Sequence, residues 1–105
     1  MRIGLIGAGS MATALARGWG EPVVCTDNGS GRGRALAEET GGEFVNTNEE
    51  VARRADLVIL CHKPPQMEQV AQEIAPHATA VVSVLARRTV EELQAAYGDV
   101  PVLRV

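Results

Sequence analysis

Met1-Arg2-Ile3-Gly4-Leu5-Ile6-Gly7-Ala8-Gly9-Ser10-Met11-Ala12 opens the chain, and this stretch decides how the rest is read. An apolar run, Ile3 to Ile6, meets Gly7-Ala8-Gly9-Ser10-Met11-Ala12, a G-x-G-x-x-A pattern. Gly7 permits a tight turn out of a strand. Gly9 has no Cβ, so a pyrophosphate can approach the backbone. Ala12 is small, so the following helix can pack close to the strand. That helix points its free N–H groups and positive dipole end at the phosphates. The pattern alone is weak, and a glycine-rich turn without a ligand is the plain alternative. The strand-like run before it and the helix-like run after it are the context that argues for a dinucleotide site.

Working outward, strand and helix patterns alternate to the last residue. The first strand is read as Arg2 to Ile6. The first helix runs from about Ser10 to Trp19, with Met11, Ala12, Leu15, Ala16 and Trp19 on one face at helical spacing, and Gly18 and Gly20 mark its end. A second strand, Pro22 to Thr26, leads through a Gly- and Ser-rich loop to a helix from Gly33 to Thr40, closed by Gly41 and Gly42. A short third strand is expected at Glu43 to Asn46. Asn48 is expected to cap a helix from Glu49 to Arg54. Leu57 to Cys61 is a continuous apolar run of the kind buried on both sheet faces. Two prolines, Pro64 and Pro65, predict a rigid extended exit from that strand. The next helix carries Met67, Val70, Ala71 and Ile74, and Pro76 stops it. Ala80 to Val84 forms the fifth strand. Thr89-Val90-Glu91-Glu92 is a capping box opening a helix with Leu93, Ala96 and Tyr97 inward, and Val100 to Val105 is the sixth strand. This order predicts an α/β fold: a Rossmann-like doubly wound parallel sheet in three αβα layers, one domain over 1–105.

Composition narrows the class. The chain has 105 residues, 46% hydrophobic and 22% charged, with a formal net charge of −3. One core fits that length. Mild acidity gives no reason to expect nucleic acid or an anionic membrane as partner. No apolar stretch approaches the ~18 residues of a spanning helix. The chain enters a core strand almost at once, which predicts no removable signal peptide and a cytoplasmic setting. Cys25 and Cys61 fall on strands expected to flank the first one, about 10 Å apart and too far for a disulfide. Both are read as reduced core thiols. Cys61-His62 lacks an evident third ligand, so no metal site is expected.

In a doubly wound sheet the ligand lies beyond the carboxyl ends of the strands, where the strand order reverses. Three segments then surround one cleft: Gly7 to Met11, Thr26 to Arg34, and Cys61 to Gln66. Asp27 stands where an acid would bind an adenosine ribose and favour NAD. Asn28, Ser30, Arg32 and Arg34 follow it and suit a 2′-phosphate, favouring NADP. Sequence leaves the two cofactors open, and the arginines equally suit a solvated helix start. Lys63 reads either as a donor to the cofactor or as a solvated side chain. His62 is a candidate general acid, although a loop histidine in such a cleft more often packs or hydrogen-bonds. No catalytic residue is assigned.

These residues resemble a known family. Ile3 to Leu15, then Ala55-Asp56-Leu-Val-Ile-Leu-Cys-His-Lys-Pro-Pro-Gln-Met67, then Val81-Val-Ser-Val84, then Leu103-Arg-Val105, are similar to the N-terminal domain of pyrroline-5-carboxylate reductase. The resemblance spans essentially the whole chain. The G-x-G-x-M loop with Ala-Asp and Lys-Pro-x-x-Met is more specific than the glycines alone. F420-dependent NADP reductases, 3-hydroxyisobutyrate dehydrogenases and prephenate dehydrogenases have related domains but lack parts of that combination.

The resemblance implies a reductase that converts 1-pyrroline-5-carboxylate, a cyclic imine carboxylate, to proline with NADPH or NADH. It implies that Gly7, Ala8, Gly9, Ser10 and Met11 form the pyrophosphate loop. Thr26, Asp27, Asn28, Ser30 and Arg32 then meet the adenosine ribose or its phosphate, and His62, Lys63 and Pro64 flank the nicotinamide ribose. The chain departs from the family at Ser10, usually Asn, and at Ala86-Arg87-Arg88-Thr89, usually Ala-Gly-Ile/Val-Thr. The family continues past the counterpart of Val105 into a helical domain that forms the homo-oligomer and much of the substrate site. The expectation is therefore a cofactor half, incomplete for catalysis alone, with an exposed apolar patch near the last strand. A stand-alone nucleotide-binding or regulatory module, and another reductase of the superfamily, are the alternatives.

Overall fold

Ile3-Gly4-Leu5-Ile6 and Leu57-Val58-Ile59-Leu60 contain no polar residue, and a parallel strand of that kind is stable only with both faces covered. They pair side by side at the centre of the sheet. The computed structural model describes residues 1–7, 10–26, 31–62, 64–84 and 89–104. Its elements are β1 (Ile3–Ile6), α1 (Ser10–Trp19), β2 (Val23–Cys25), α2 (Arg32–Thr40), β3 (Glu43–Phe44), α3 (Asn48–Arg54), β4 (Leu57–Leu60), a 3₁₀ turn (Pro64–Gln66), α4 (Met67–Ile74), β5 (Val81–Ser83), α5 (Val90–Tyr97) and β6 (Val102–Arg104). The strand order is β3-β2-β1-β4-β5-β6, with every pairing parallel. That is the expected doubly wound α/β sheet.

The two sheet faces are covered unequally. On one face, α3, α4 and α5 bury Ile6, Val58, Leu60, Val81 and Val102 in a continuous core. On the other, Ala12 and Ala16 of α1 and Leu36 and Ala37 of α2 pack over Ile3, Leu5, Val23 and Cys25. The register makes the inequality visible. Cys25, Leu5, Ile59, Val82 and Leu103 are successive cross-strand partners on this second face. Cys25 and Leu5 are buried, Ile59 and Val82 are half-buried, and Leu103 is 68% exposed. Coverage ends at β4, so the expected apolar patch by the last strand is present.

Close packing depends on small residues at the contacts. A Cβ on Gly4 would lie 2.6 Å from Val51 Cγ1 and 2.7 Å from the Ala55 Cβ, so glycine there lets α3 approach β1. Asp56 ties the amino ends of β1 and β4 together: its Oδ2 accepts from the Arg2 backbone N at 2.7 Å, and its own N–H donates to the Arg2 carbonyl at 2.8 Å. The Ala55-Asp56 pair thus serves the edge of the sheet opposite the strands' carboxyl ends. On the surface, Arg17 of α1 clamps Glu39 of α2 at 2.7 and 3.0 Å, and the guanidinium holds that carboxyl below its usual range.

Four expectations are corrected. Met11 and Trp19 do not enter the core; they are 54% and 43% exposed, because only Ala12 and Ala16 face covered sheet. Residues 64–66 form a 3₁₀ turn running straight into α4, since a proline φ suits a helix start as well as an extended exit. The cap of α3 is Thr47, whose hydroxyl accepts from the Glu50 N–H at 3.2 Å, while Asn48 donates to Glu73 on α4 at 3.1 Å. Strand ends are shorter than read, at Val23–Cys25, Glu43–Phe44, Leu57–Leu60, Val81–Ser83 and Val102–Arg104, and α2 begins one residue early, at Arg32. Thr89 caps α5 as expected, accepting from Glu92 N–H at 3.1 Å.

The cap assignment can be measured. Thr47→Ala should cost about 1 kcal/mol in urea unfolding. Asn48→Ala, which loses only an exposed contact, should stay within about 0.5 kcal/mol of the parent.

Candidate functional site

Because every strand is parallel, all carboxyl ends lie along one edge of the sheet. Gly7 leaves β1 there, Thr26 leaves β2, Cys61 and His62 leave β4, and Val84 leaves β5. β1 lies between β2 and β4, so the chain winds outward from it in both directions, and the crevice opens at its end.

Gly7 is the pivot of this edge. Its φ is +97°, a conformation L side chains rarely adopt. A Cβ there would also stand 3.0 Å from Cys61 C, Cys61 O and His62 N, all backbone atoms. The Cys61 N–H donates to the Ile6 carbonyl at 2.8 Å, which holds the β4 exit against the turn. α1 then starts at Ser10, presenting the free N–H groups of its first turn at the same edge. A strand, a positive-φ glycine and a helix start in this order make the cradle into which a pyrophosphate fits.

The second segment carries a second positive-φ glycine. Gly31 is the N-cap of α2, with φ +85°, and has no side chain to offer as a cap. Cys25 Sγ donates to the Gly33 carbonyl at 3.1 Å, tying the end of β2 to the first turn of α2. Arg32 opens the helix. The Arg34 guanidinium lies 4.6 Å above the Phe44 ring, a cation–π contact that uses this side chain in the fold.

Among the described residues, the buried polar side chains are Thr26, His62 and Ser83. They sit at the carboxyl ends of β2, β4 and β5. Burying a polar group costs free energy unless it is satisfied, so their gathering on one edge singles that edge out. Ser83 was not picked out by sequence reasoning. Its signal was the one polar residue inside the apolar run Ala80 to Val84. Gly31 was also missed, because a glycine among several in a loop carries no mark of its φ.

Cys25 and Cys61 are free thiols, as expected. Burial pushes the Cys61 thiol up to about 11, so it stays protonated near neutrality and is no nucleophile there. The structure brings Gly7, Met11, Thr26, Arg32 and His62 to one edge. Ser10 and Pro64 are placed there by their backbone. Ala8, Gly9, Asp27, Asn28, Ser30 and Lys63 lie outside the described residues, as do Arg87 and Arg88. Among the described residues, no group of three His, Cys, Asp or Glu could hold a metal ion, and no helix is long and apolar enough to cross a membrane.

Residues 2–87 match the family described as NADP oxidoreductase coenzyme F420-dependent. The pyrroline-5-carboxylate reductase of Pseudomonas aeruginosa is 34% identical over 113 residues, covering 98% of this chain and 41% of that protein. A pyrroline-5-carboxylate reductase structure from Coxiella burnetii superposes with a TM-score of 0.87 at 23% identity, over 97% of this chain and 42% of that one. The Plasmodium falciparum pyrroline carboxylate reductase with NADP bound superposes with a TM-score of 0.82 at 21% identity, over 99% and 41%. The chain thus spans about two fifths of the length of the curated relatives it matches. The likeness drawn from the sequence motifs holds across nearly the whole chain.

Two measurements test this edge. Gly7→Ala should lower stability by about 1–3 kcal/mol from backbone strain alone, read by thermal and urea unfolding, and should weaken any dinucleotide bound there. Raising the pH should speed iodoacetamide alkylation of Cys61 with a midpoint near 11 rather than that of an exposed thiol, because only the thiolate reacts; peptide mass spectrometry reads the site.

Proposed function

The chain belongs to the family described as NADP oxidoreductase coenzyme F420-dependent, and from that premise we propose that it is the NADP(H)-binding unit of a reductase acting on 1-pyrroline-5-carboxylate in proline formation. One observation carries the reading: Gly7 turns out of a strand buried on both faces, at φ +97° and hard against the β4 exit, directly before the start of α1. That construction serves a pyrophosphate and has no evident purpose in a plain turn.

Each segment has a role in this proposal. Gly7, Ala8, Gly9, Ser10 and Met11 wrap the pyrophosphate with backbone N–H groups and the α1 dipole. Thr26, Asp27, Asn28, Ser30 and Arg32 receive the adenosine ribose and its 2′-phosphate. The first turn of α2 behind Gly31 turns the positive end of that helix toward the same group, beside Arg32. The family description and the NADP-bound Plasmodium relative support NADP over NAD. His62, Lys63 and Pro64 line the nicotinamide ribose. When bound, the dinucleotide supplies the hydride; the chain's own residues position it and exclude water from its reactive end.

These 105 residues supply the cofactor half. The imine-carboxylate pocket and the homo-oligomer are assigned to polypeptide of the kind that makes up the remaining three fifths of the relatives. The setting is the cytoplasm. The family description also names coenzyme F420, which makes an F420-linked NADP reductase the second reading.

Isothermal titration tests the cofactor claim. NADPH should bind, and NADH should bind about tenfold more weakly, the equivalent of one charge-assisted hydrogen-bond pair. Arg32→Ala should remove that preference while leaving NADH affinity unchanged. No heat with either dinucleotide sinks the proposal. Proline formation from the imine, assayed with a chain of the relatives' full length, separates the first reading from F420 reduction.

A further inference from the structure

Arg34 carries a surface that the fold does not use up. It is exposed in the first turn of α2, and its guanidinium lies 4.6 Å above the Phe44 ring. Arg2, Arg17, Arg53 and Arg54 each hold a carboxylate. Among the described residues Arg34 holds none, although Glu38 stands one turn further along the same helix. The contact with Phe44 is anchored from below. Phe44 ends β3 beside Cys25, and the Val45 N–H donates to the Cys25 carbonyl at 2.9 Å. Cys25 Sγ donates to the Gly33 carbonyl at 3.1 Å. One residue at the end of β2 thus holds both the strand that carries Phe44 and the helix turn that carries Arg34. The ring is half-buried against the core under α1 and α2, with the guanidinium above it.

On the premise that the crevice holds a dinucleotide, we propose that the Arg34 guanidinium, backed by Phe44, is the platform on which the adenine base stacks. Going outward from the crevice, β1 ends at Gly7, β2 at Thr26 and β3 at Phe44. Neighbouring strand ends are about 5 Å apart. The groups of the ligand run in the same order: pyrophosphate, ribose, base. A base whose pyrophosphate sits at Gly7 and whose ribose sits at Thr26 therefore arrives at the end of β3.

The base needs a flat partner there. The chain has one Phe, one Tyr and one Trp. Trp19 and Tyr97 close α1 and α5, helices that run back from the carboxyl ends of the strands, so both lie toward the opposite edge. Phe44 is the aromatic residue at the carboxyl edge, and Arg34 covers its ring. The guanidinium is planar and weakly hydrated, and bases stack on it as they do on aromatic rings. Its seat on Phe44, with no carboxylate to draw it aside, holds the side chain in place before the base arrives. The two arginines of this segment then divide the work. Arg32 takes the 2′-phosphate, which NADP alone carries. Arg34 takes the base, which NADP and NAD share.

Titration calorimetry of the 105-residue chain with NADPH and NADH reads this division. Arg34→Ala, an exposed helix substitution that should leave far-UV circular dichroism unchanged, should weaken both dinucleotides by the same factor, about tenfold. Arg34→Lys keeps the charge but loses the plane, and should weaken both nearly as much. Nuclear Overhauser spectra of the unmodified chain with NADPH should show cross-peaks from adenine H2 or H8 to Arg34 side-chain protons, a signal that a purely structural arginine would not give. If the unmodified chain binds NADPH and Arg34→Ala matches it within about twofold, the platform is overturned and the cofactor assignment stands. A loss confined to NADPH and restored by Arg34→Lys also overturns it, because Arg34 then serves the 2′-phosphate. So does NADPH binding without an adenine–Arg34 cross-peak. If neither dinucleotide binds the unmodified chain, the cofactor assignment itself falls and takes this inference with it.

Discussion

The pairing of β1 with β4 is the constraint on which the rest of the molecule depends. Both strands are apolar throughout and lie at the centre of the sheet, so each must be covered above and below. Their closeness is set by glycine twice over. Gly4 lets α3 sit on β1, and Gly7 lets the chain turn within contact of the β4 exit. At the far edge, Asp56 bonds the Arg2 backbone and keeps the two strands in step. One pairing therefore aligns the strand ends and opens the crevice between the outgoing chains.

Function follows from where polar groups are tolerated. Thr26, His62 and Ser83 are buried at the carboxyl ends of three strands, while the middle of the sheet is apolar. Cys61, half-buried beside them, is held protonated by its surroundings. Nothing at this edge has the form of an activated nucleophile among the described residues. The edge is built to hold a cofactor in place, and in such proteins the hydride chemistry belongs to the cofactor. The ion pairs of Arg17 with Glu39 and of Arg54 with Glu43 and Glu50 are exposed and link surface elements, so their part in stability is small.

The unequal coverage of the two sheet faces gives the molecule its second feature of interest. Where α1 and α2 stop, the row passes from buried Leu5 through half-buried Ile59 and Val82 to exposed Leu103. The three-layer architecture is thus complete on one side and partial on the other. Trp19, which lines the open part of that face, is exposed for the same reason: a helix stripe reads as inward-facing only if there is something for every member to face.

Much was legible before any coordinates. The continuous apolar runs, the glycine pattern after the first and the 3.6-residue spacing behind it reflect local physics, so the strand–helix alternation and the crevice at Gly7 could be read directly. Thr89 could be read as a cap because its capping box is complete within four residues. Register, coverage and the neighbours of a given side chain depend on residues far apart in the chain. That is why the cap of α3 fell to Thr47, why the Pro64–Pro65 segment bent into a 3₁₀ turn, and why Ser83 and Gly31 gained meaning only in place. It is also why the Met11–Trp19 stripe proved half exposed: periodicity says that a face is apolar, and only packing says whether another layer lies against it.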